Sequence, residues 1–238
     1  MTISSTSSIC LECNSRAIEC LQEGDPCEAT RLLKVALTRL QSDMTFIKFQ
    51  NNAAAPQDDV ASCFTYGSIY GISVSPDLLT ASLFQSQDNL FPCYFRAFEV
   101  DENAQESLNT STTFVIVLYN LALSMLLESQ YKGRRISRHE IAVVLQMFQA
   151  ALKAANVLWD NGHREEVLYL VLGITTNLGF LHSLCHNVKE ARDHLLLAVD
   201  LVGHAAAEDV VPLEDYEFFY TSTCMFSSGV NLNIAPAA

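Results

Sequence analysis

Hydrophobic residues recur at helical spacing along most of this chain, and the spacing predicts three antiparallel pairs of helices. The predicted helices cover residues 8–23, 26–41, 111–129, 137–159, 164–185 and 188–204. Their inward stripes include Ile9, Cys13, Ala17 and Cys20 in the first helix, Ala29, Leu33, Ala36 and Leu40 in the second, and Ala191, Leu195, Ala198 and Val202 in the last. The stripes predict a core built between the helices of each pair.

A motif that starts helices recurs along the chain: a capping residue, two spacers and a glutamate. Its copies are Asp25-x-x-Glu28, Ser137-x-x-Glu140 and Asn187-x-x-Glu190. In this capping box the first side chain accepts a hydrogen bond from a free backbone N–H, and the glutamate accepts another in return. Two copies lie in a longer frame, in which Ala17 or Gly179 precedes a run that ends at Ala36 or Ala198. The small residues of this frame predict close helix–helix contacts in two hairpins.

The middle hairpin departs from this frame because the turn at Lys132–Arg135 takes the place of the second small residue. The frame resumes in one of two registers, Ile141-x3-Leu145-x2-Phe148 or Val144-x3-Phe148-x2-Ala151. We favour the second register because it keeps a small residue at the close contact.

Two parts of the chain break the helical pattern: an insert over residues 42–110 and a tail over residues 205–238. Within the insert, residues 64–72 and 93–100 have the composition of strands and could pair, whereas residues 51–59 are typical of a loop. The aromatic composition of the tail slightly favours a strand over a helix. We expect one domain that comprises the whole chain.

The chain is acidic, and its net charge makes some classes of binding partner unfavourable. A net charge of −13 argues against a surface for nucleic acid or anionic membranes. The longest apolar stretch, residues 167–184, is interrupted by Thr175 and Asn177 and so predicts a buried helix rather than a membrane span. The N-terminus lacks the basic and apolar regions of a signal peptide. We therefore expect a cytoplasmic protein with reduced cysteines, with the nucleus left open.

Short matches relate the hairpins to a known class of repeats. The matching runs are Asn120-Leu121-Ala122 and Asn177-Leu178-Gly179 on first helices, and Gly24-Asp25 and Glu28-Ala29 at a turn. They resemble the corresponding steps of tetratricopeptide (TPR) repeats, although the tryptophan and tyrosine of that family's first helix are absent. The resemblance implies a mostly α fold, with TPR-like antiparallel hairpins stacked as a short superhelix. The strand composition of residues 64–72 and 93–100 adds a small β-containing insert to this fold. Leu118–Leu123, Tyr94–Phe98 and the Ala-Pro-Ala-Ala end are also similar to uncharacterised helical-repeat proteins of unicellular algae, which imply no function.

The TPR resemblance implies a non-enzymatic protein–protein interaction scaffold, since such proteins bind an extended peptide along a concave face. The partner-binding positions transferred from the family are Ile116, Tyr119, Asn120, Leu123, Thr176, Asn177 and Phe180. Asn120 and Asn177 could bond the backbone of a partner because an amide both donates and accepts hydrogen bonds. The alternative is that both asparagines only cap or solvate this face. We expect a protein or peptide partner and no cofactor.

An open groove lined by so many apolar side chains would be liable to aggregate. The insert and the aromatic tail are the nearest segments that could cover it. We therefore expect partial self-occupancy of the groove, so that an outside partner competes for the same surface.

Two clusters allow rival functions. Cys10-x2-Cys13, with Cys20 and Cys27, and His182-x3-His186 have the spacing of metal ligands and would suit a small metal-dependent enzyme. However, one rigid helix cannot wrap a tetrahedral ion with ligands a heptad apart, and no glutamate follows the first histidine. We therefore favour cysteines that act as small hydrophobic residues, and a histidine pair at the surface. A third hypothesis is that the protein is a structural subunit of a larger assembly. The sequence contains no catalytic motif that points to an enzyme.

Ser137 is a candidate modification site. Arg134-Arg135-Ile136-Ser137 resembles a site for a basophilic kinase. A phosphate on a helix N-cap would face free N–H groups and the positive end of the helix dipole. The simpler interpretation is a solvated turn in which Ser137 only caps the helix.

Overall fold

The computed structural model describes residues 5–51, 69–79, 93–101, 104, 108–132, 136–208 and 210–227. Its elements are α1 (Ser5–Gln22), α2 (Pro26–Asn51), β1 (Ile69–Ser73), α3 (Pro76–Leu79), β2 (Arg96–Val100), α4 (Thr110–Tyr131), α5 (Arg138–Asp160), α6 (Arg164–Leu184), α7 (Val188–Glu208) and α8 (Leu213–Ser227). The described part of the chain is thus mostly helical with one small antiparallel sheet, which confirms the predicted fold class at this level.

The long helices pack in chain order, and the small sheet lies on one side of them. Each of α1, α2, α4, α5, α6, α7 and α8 packs against the next in this series. In addition, α4 contacts α1 and α6, and β2 lies against α1 and α4. The three helices α1, α4 and α6 therefore form the face on which the insert is seated.

The two strands pair antiparallel, with Ile69 opposite Val100 and Gly71 opposite Phe98. The predicted pairing of residues 64–72 with residues 93–100 is confirmed for the residues that the structure describes. Residues 64–68, and all of the predicted 51–59 loop except Asn51, lie outside them.

The small residues that end the two runs of the repeating frame are buried. Ala36 and Ala198 are buried on α2 and α7. On α5 the buried stripe includes Val144, Phe148 and Ala151, which confirms the favoured register of the middle hairpin.

The predicted stripe of α1 is wrong in part. Ile9 is 39% exposed and Cys13 is only half-buried, whereas Leu11, Asn14 and Ile18 are buried. Helix α1 packs against α2, α4 and β2 at once, so its buried face is wider than a single hairpin requires and is turned towards the strand.

Two further predictions about elements need correction. The first concerns α2, which continues ten residues past the predicted end at Gln41 to Asn51, since no glycine or proline interrupts this stretch. The second concerns the tail, which forms helix α8 although its composition slightly favours a strand. Its buried residues include Asp215, Phe219 and Ser222, a helical spacing that the strand-like composition obscured.

The three capping boxes form to different extents. At Ser137 both bonds are present: the Glu140 N–H donates to Ser137 Oγ (3.2 Å) and the Ser137 N–H donates to Glu140 Oε2 (2.9 Å). Asp25 accepts from the Glu28 N–H at 3.0 Å, but the Glu28 carboxylate pairs with Arg31 instead of returning to the cap. The Asn187 side chain contacts His182.

Helices α4, α5 and α6 are long and apolar enough to cross a membrane by length and composition alone. In this fold 78% of the apolar window of α4 and 89% of that of α6 are buried inside the protein, against 33% for α5. The apolar character of α4 and α6 is thus accounted for by burial against protein.

Candidate functional site

Residues 93–100, here called the clamped segment, lie extended across the face of α1, α4 and α6. The asparagine groove is the part of that face that carries Asn14, Asn120 and Asn177, one from each helix. One edge of β2 pairs with β1, so the backbone groups on its other edge need partners from the helices. The asparagines supply those partners.

Asn120 binds both backbone polar groups of Phe98. Its Oδ1 accepts from the Phe98 N–H at 2.8 Å, and its Nδ2 donates to the Phe98 carbonyl at 2.7 Å. Asn14 Nδ2 donates to the same carbonyl at 3.1 Å, and Asn14 Oδ1 accepts from Asn120 Nδ2 at 2.8 Å. Because all three residues are buried, these bonds replace hydrogen bonds to water that the backbone would otherwise lose.

Asn177 repeats this arrangement four residues earlier in the segment, at Tyr94. Its Oδ1 accepts from the Tyr94 N–H at 2.7 Å, and its Nδ2 donates to the Tyr94 carbonyl at 3.1 Å. The Tyr119 hydroxyl lies 3.2 Å from the carbonyl oxygens of both Tyr94 and Arg96, and it accepts from Asn177 Nδ2 at 3.0 Å. Such contacts read the backbone of an extended chain and are independent of its side chains.

Aromatic packing fills the space beneath the clamped segment. Phe98 lies 4.6 Å from Tyr119 and 4.8 Å from Tyr169 between ring centroids. A Cβ at Gly173 would lie 2.8 Å from Phe98 Cζ and 3.2 Å from Tyr94 Cδ1. The glycine on α6 therefore makes room for both aromatic rings.

Helix α8 closes the site through a buried carboxylate. Asp215, 1% exposed, accepts hydrogen bonds from the hydroxyls of Tyr94 and Tyr169 and pairs with Arg96 at 2.6 Å. Arg96 also pairs with the exposed Glu214 at 2.9 Å. The cluster thus ties the clamped segment to α6 and α8.

Burial and the carboxylates of Asp215 and Glu214 shift the pKa values of the side chains in this cluster. Burial and the nearby Asp215 charge raise the pKa of Tyr169, and burial together with the neighbouring Tyr169 and Asp215 raises the pKa of Tyr94. Burial alone would lower the pKa of Arg96, but its hydrogen bonds to Asp215 and Glu214 outweigh this and raise it. Around neutral pH both hydroxyls are therefore protonated donors and Arg96 is a cation.

All of the predicted partner-binding residues are buried. They are Ile116, Tyr119, Asn120, Leu123, Thr176, Asn177 and Phe180. Asn120 and Asn177 do bond the backbone of an extended segment, and that segment comes from the chain's own insert. The tail also contributes, since the ring centroid of Phe219 on α8 lies 4.7 Å from that of Tyr94. The expected self-occupancy is confirmed at Tyr119, Asn120 and Asn177, whose side chains bond the insert.

The sequence did not single out Arg96, Tyr169 or Asp215 as site residues. Asn14 lies at a concave position of the first hairpin, equivalent in the repeating frame to Thr176, and this position was the available signal. Asp215 has no such signal, because the tail is outside the repeats and its composition slightly favours a strand.

The cysteine and histidine clusters lie elsewhere. Among the described residues no group of three potential metal ligands comes together. Cys10 Sγ donates to the Ala36 carbonyl, 3.4 Å away. His182 is buried and stacks on His194 at 5.4 Å, which corrects the predicted surface pair with His186. Burial lowers the pKa of His182 and of His194.

Ser137 is exposed and forms the full capping box described above. Arg134 and Arg135, which complete the predicted kinase motif, lie outside the described residues. The modification at Ser137 stays a prediction.

Comparison with models of protein families, with curated proteins and with solved structures finds no match to this chain. The function must therefore be argued from the geometry of the site.

Proposed function

We propose that this chain is a non-enzymatic protein–protein interaction scaffold of the TPR-like type, which binds an extended partner segment in its asparagine groove. The observation that carries the proposal is the paired clamp: Asn120 and Asn177 each hold the N–H and the carbonyl of one residue of an extended chain. A surface that satisfies both backbone groups of a strand suits peptides in general.

The clamped segment occupies the groove in cis, so a partner segment has to displace it. The tethered segment has the advantage of a high effective concentration. An outside segment therefore enters the groove only when it binds more tightly than residues 93–100, or when the bonds that join Asp215 of α8 to Arg96 and Tyr94 are weakened.

The proposal is tested by capturing partners from the native cells and asking whether capture depends on the groove. The bait is the full chain. A partner that binds in the groove is lost in an Asn120→Leu/Asn177→Leu variant that circular dichroism shows to be folded.

A matched variant controls for surface effects. Gln149→Leu changes an exposed amide on α5, away from the groove, and should retain the partner. Captured proteins that bind equally well to the wild-type chain and to the asparagine variant would contradict binding in the groove.

A further inference from the structure

The side chains of the clamped segment define what the groove and α8 recognise beyond a backbone. Tyr94, Arg96 and Phe98 alternate along the segment and so project from the same face of the extended chain. Asp215 accepts a hydrogen bond from Tyr94 and pairs with Arg96, and the space beside Gly173 accommodates the rings of Tyr94 and Phe98.

The carboxylate of Asp215 makes the groove selective for a segment that carries a positive charge at the position of Arg96. If the clamped segment left the groove, Asp215 would lose its bonds to Tyr94 and Arg96 and keep only that to Tyr169. A carboxylate buried to this extent is costly without a cation or several donors around it. A replacement segment must therefore bring its own cation to the position of Arg96.

Resting on the proposed function, we propose that the groove is specific for an extended basic peptide of the pattern Tyr-x-Arg/Lys-x-aromatic. Asn177 holds the backbone of the tyrosine, and Asn120 holds that of the second aromatic residue. Asp215 pairs with the cation between them, and Glu214 adds a second carboxylate at the rim. The net charge of −13 favours the approach of such a peptide.

The position of Arg96 allows the groove to be opened by a single substitution. In Arg96→Glu the chain's own segment brings a carboxylate against Asp215 and Glu214, so like-charge repulsion opposes its seating. Arg96→Lys keeps the cation and should leave the groove occupied. The two variants form a matched pair at one partly exposed position.

The experiment measures binding of labelled octapeptides to the two full-length variants by fluorescence anisotropy. One peptide has the sequence of residues 93–100 with serine in place of cysteine, and the other has glutamate in place of the arginine as well. We expect the Arg96→Glu chain to bind the arginine peptide about tenfold more tightly than the glutamate peptide. The Arg96→Lys chain should bind both much more weakly.

The outcomes separate the two proposals. Equal affinity of the Arg96→Glu chain for both peptides would overturn the charge selectivity but leave the groove as a peptide-binding site. Binding of neither peptide would overturn this inference, and the capture experiment above would then decide the proposed function by itself. Equal binding by the Glu and Lys variants would place the peptide outside the emptied groove and would also overturn it.

The variant Arg96→Ala provides a second route if Arg96→Glu does not fold. It removes the cation without adding a negative charge, and folding is checked by circular dichroism. The same preference for the arginine peptide is expected, and its absence contradicts the inference in the same way.

Discussion

Each buried amide hydrogen of Tyr94 and Phe98 is held by one asparagine oxygen, whereas each of the two carbonyls receives more than one donor. The Tyr94 carbonyl is contacted by Asn177 and Tyr119, and the Phe98 carbonyl by Asn120 and Asn14. Loss of one asparagine therefore affects the N–H more than the carbonyl.

Asn177→Leu tests this at the scale of a residue. Leucine has a similar volume but cannot accept the Tyr94 N–H, so a buried donor is left without a partner. We expect the free energy of unfolding to fall by about 1–3 kcal/mol in urea melts. Gln149→Leu, an exposed substitution of the same kind, should change it by less than about 0.5 kcal/mol.

Ser137→Ala tests the capping box at the start of α5. Alanine cannot accept from the Glu140 N–H, so the helix loses a cap. The free energy of unfolding should fall by about 0.5–2 kcal/mol. No change in urea melts would show that the cap contributes nothing. The absence of phosphate on protein from native cells would leave capping as the only role of Ser137.

At the scale of elements, the hairpins depend on small residues where two helices approach. Ala36 of α2 and Ala198 of α7 are buried at equivalent positions of the frame. Helix α8 lies outside the repeated pattern. Its Asp215 accepts hydrogen bonds from Tyr94 of the clamped segment and from Tyr169 of α6, and its Phe219 packs against Tyr94.

Ala36→Leu and Ala198→Leu should each overpack a hairpin. The added side-chain atoms have no space at buried positions, and the expected cost is about 1–3 kcal/mol of stability. Ala150→Leu on the exposed side of α5 is the control and should be close to neutral. Urea melts in which both buried variants match wild type would refute the frame.

At the scale of the whole molecule, the groove, the insert and the tail stabilise one another. Gly173 on α6 sets how closely the clamped segment can approach, and Gly71 on β1 does the same beside the hydroxyls of Tyr94 and Tyr169. A substitution at either glycine should therefore displace residues of the insert as well as its own surroundings.

Gly173→Ala should lift the clamped segment from the groove. Its Cβ would lie 2.8 Å from Phe98 Cζ, which forces the ring or the helix to move. We expect a loss of about 1–3 kcal/mol of stability, with faster hydrogen exchange at the Tyr94 and Phe98 amides than in wild type. Unchanged exchange at these amides would contradict the coupling.

Gly203→Ala is the matched control for that experiment. No described atom lies within 4 Å of a Cβ at Gly203, on α7. Alanine also favours a helix over glycine by about 1 kcal/mol. This variant should be as stable as wild type or more stable, with no effect on exchange in the clamped segment.

The features that depend on neighbours along the chain could be predicted from the amino-acid sequence. Helical periodicity located α4, α5, α6 and α7 closely, and the capping motif located the start of α5. The favoured register of the middle hairpin was correct, since the buried residues of α5 include Val144, Phe148 and Ala151. These signals repeat within a few residues, so they can be read without knowledge of the fold.

The segment that the asparagines hold and the helical form of the tail depend on contacts between distant parts of the chain. Tyr94 meets Asn177 across 83 residues of sequence and Asp215 across 121. No local pattern encodes such pairings, because they depend on where the chain places each segment. The aromatic tail becomes helical for the same reason: as a helix it brings Asp215 and Phe219 to the clamped segment, and this burial outweighs a weak strand propensity.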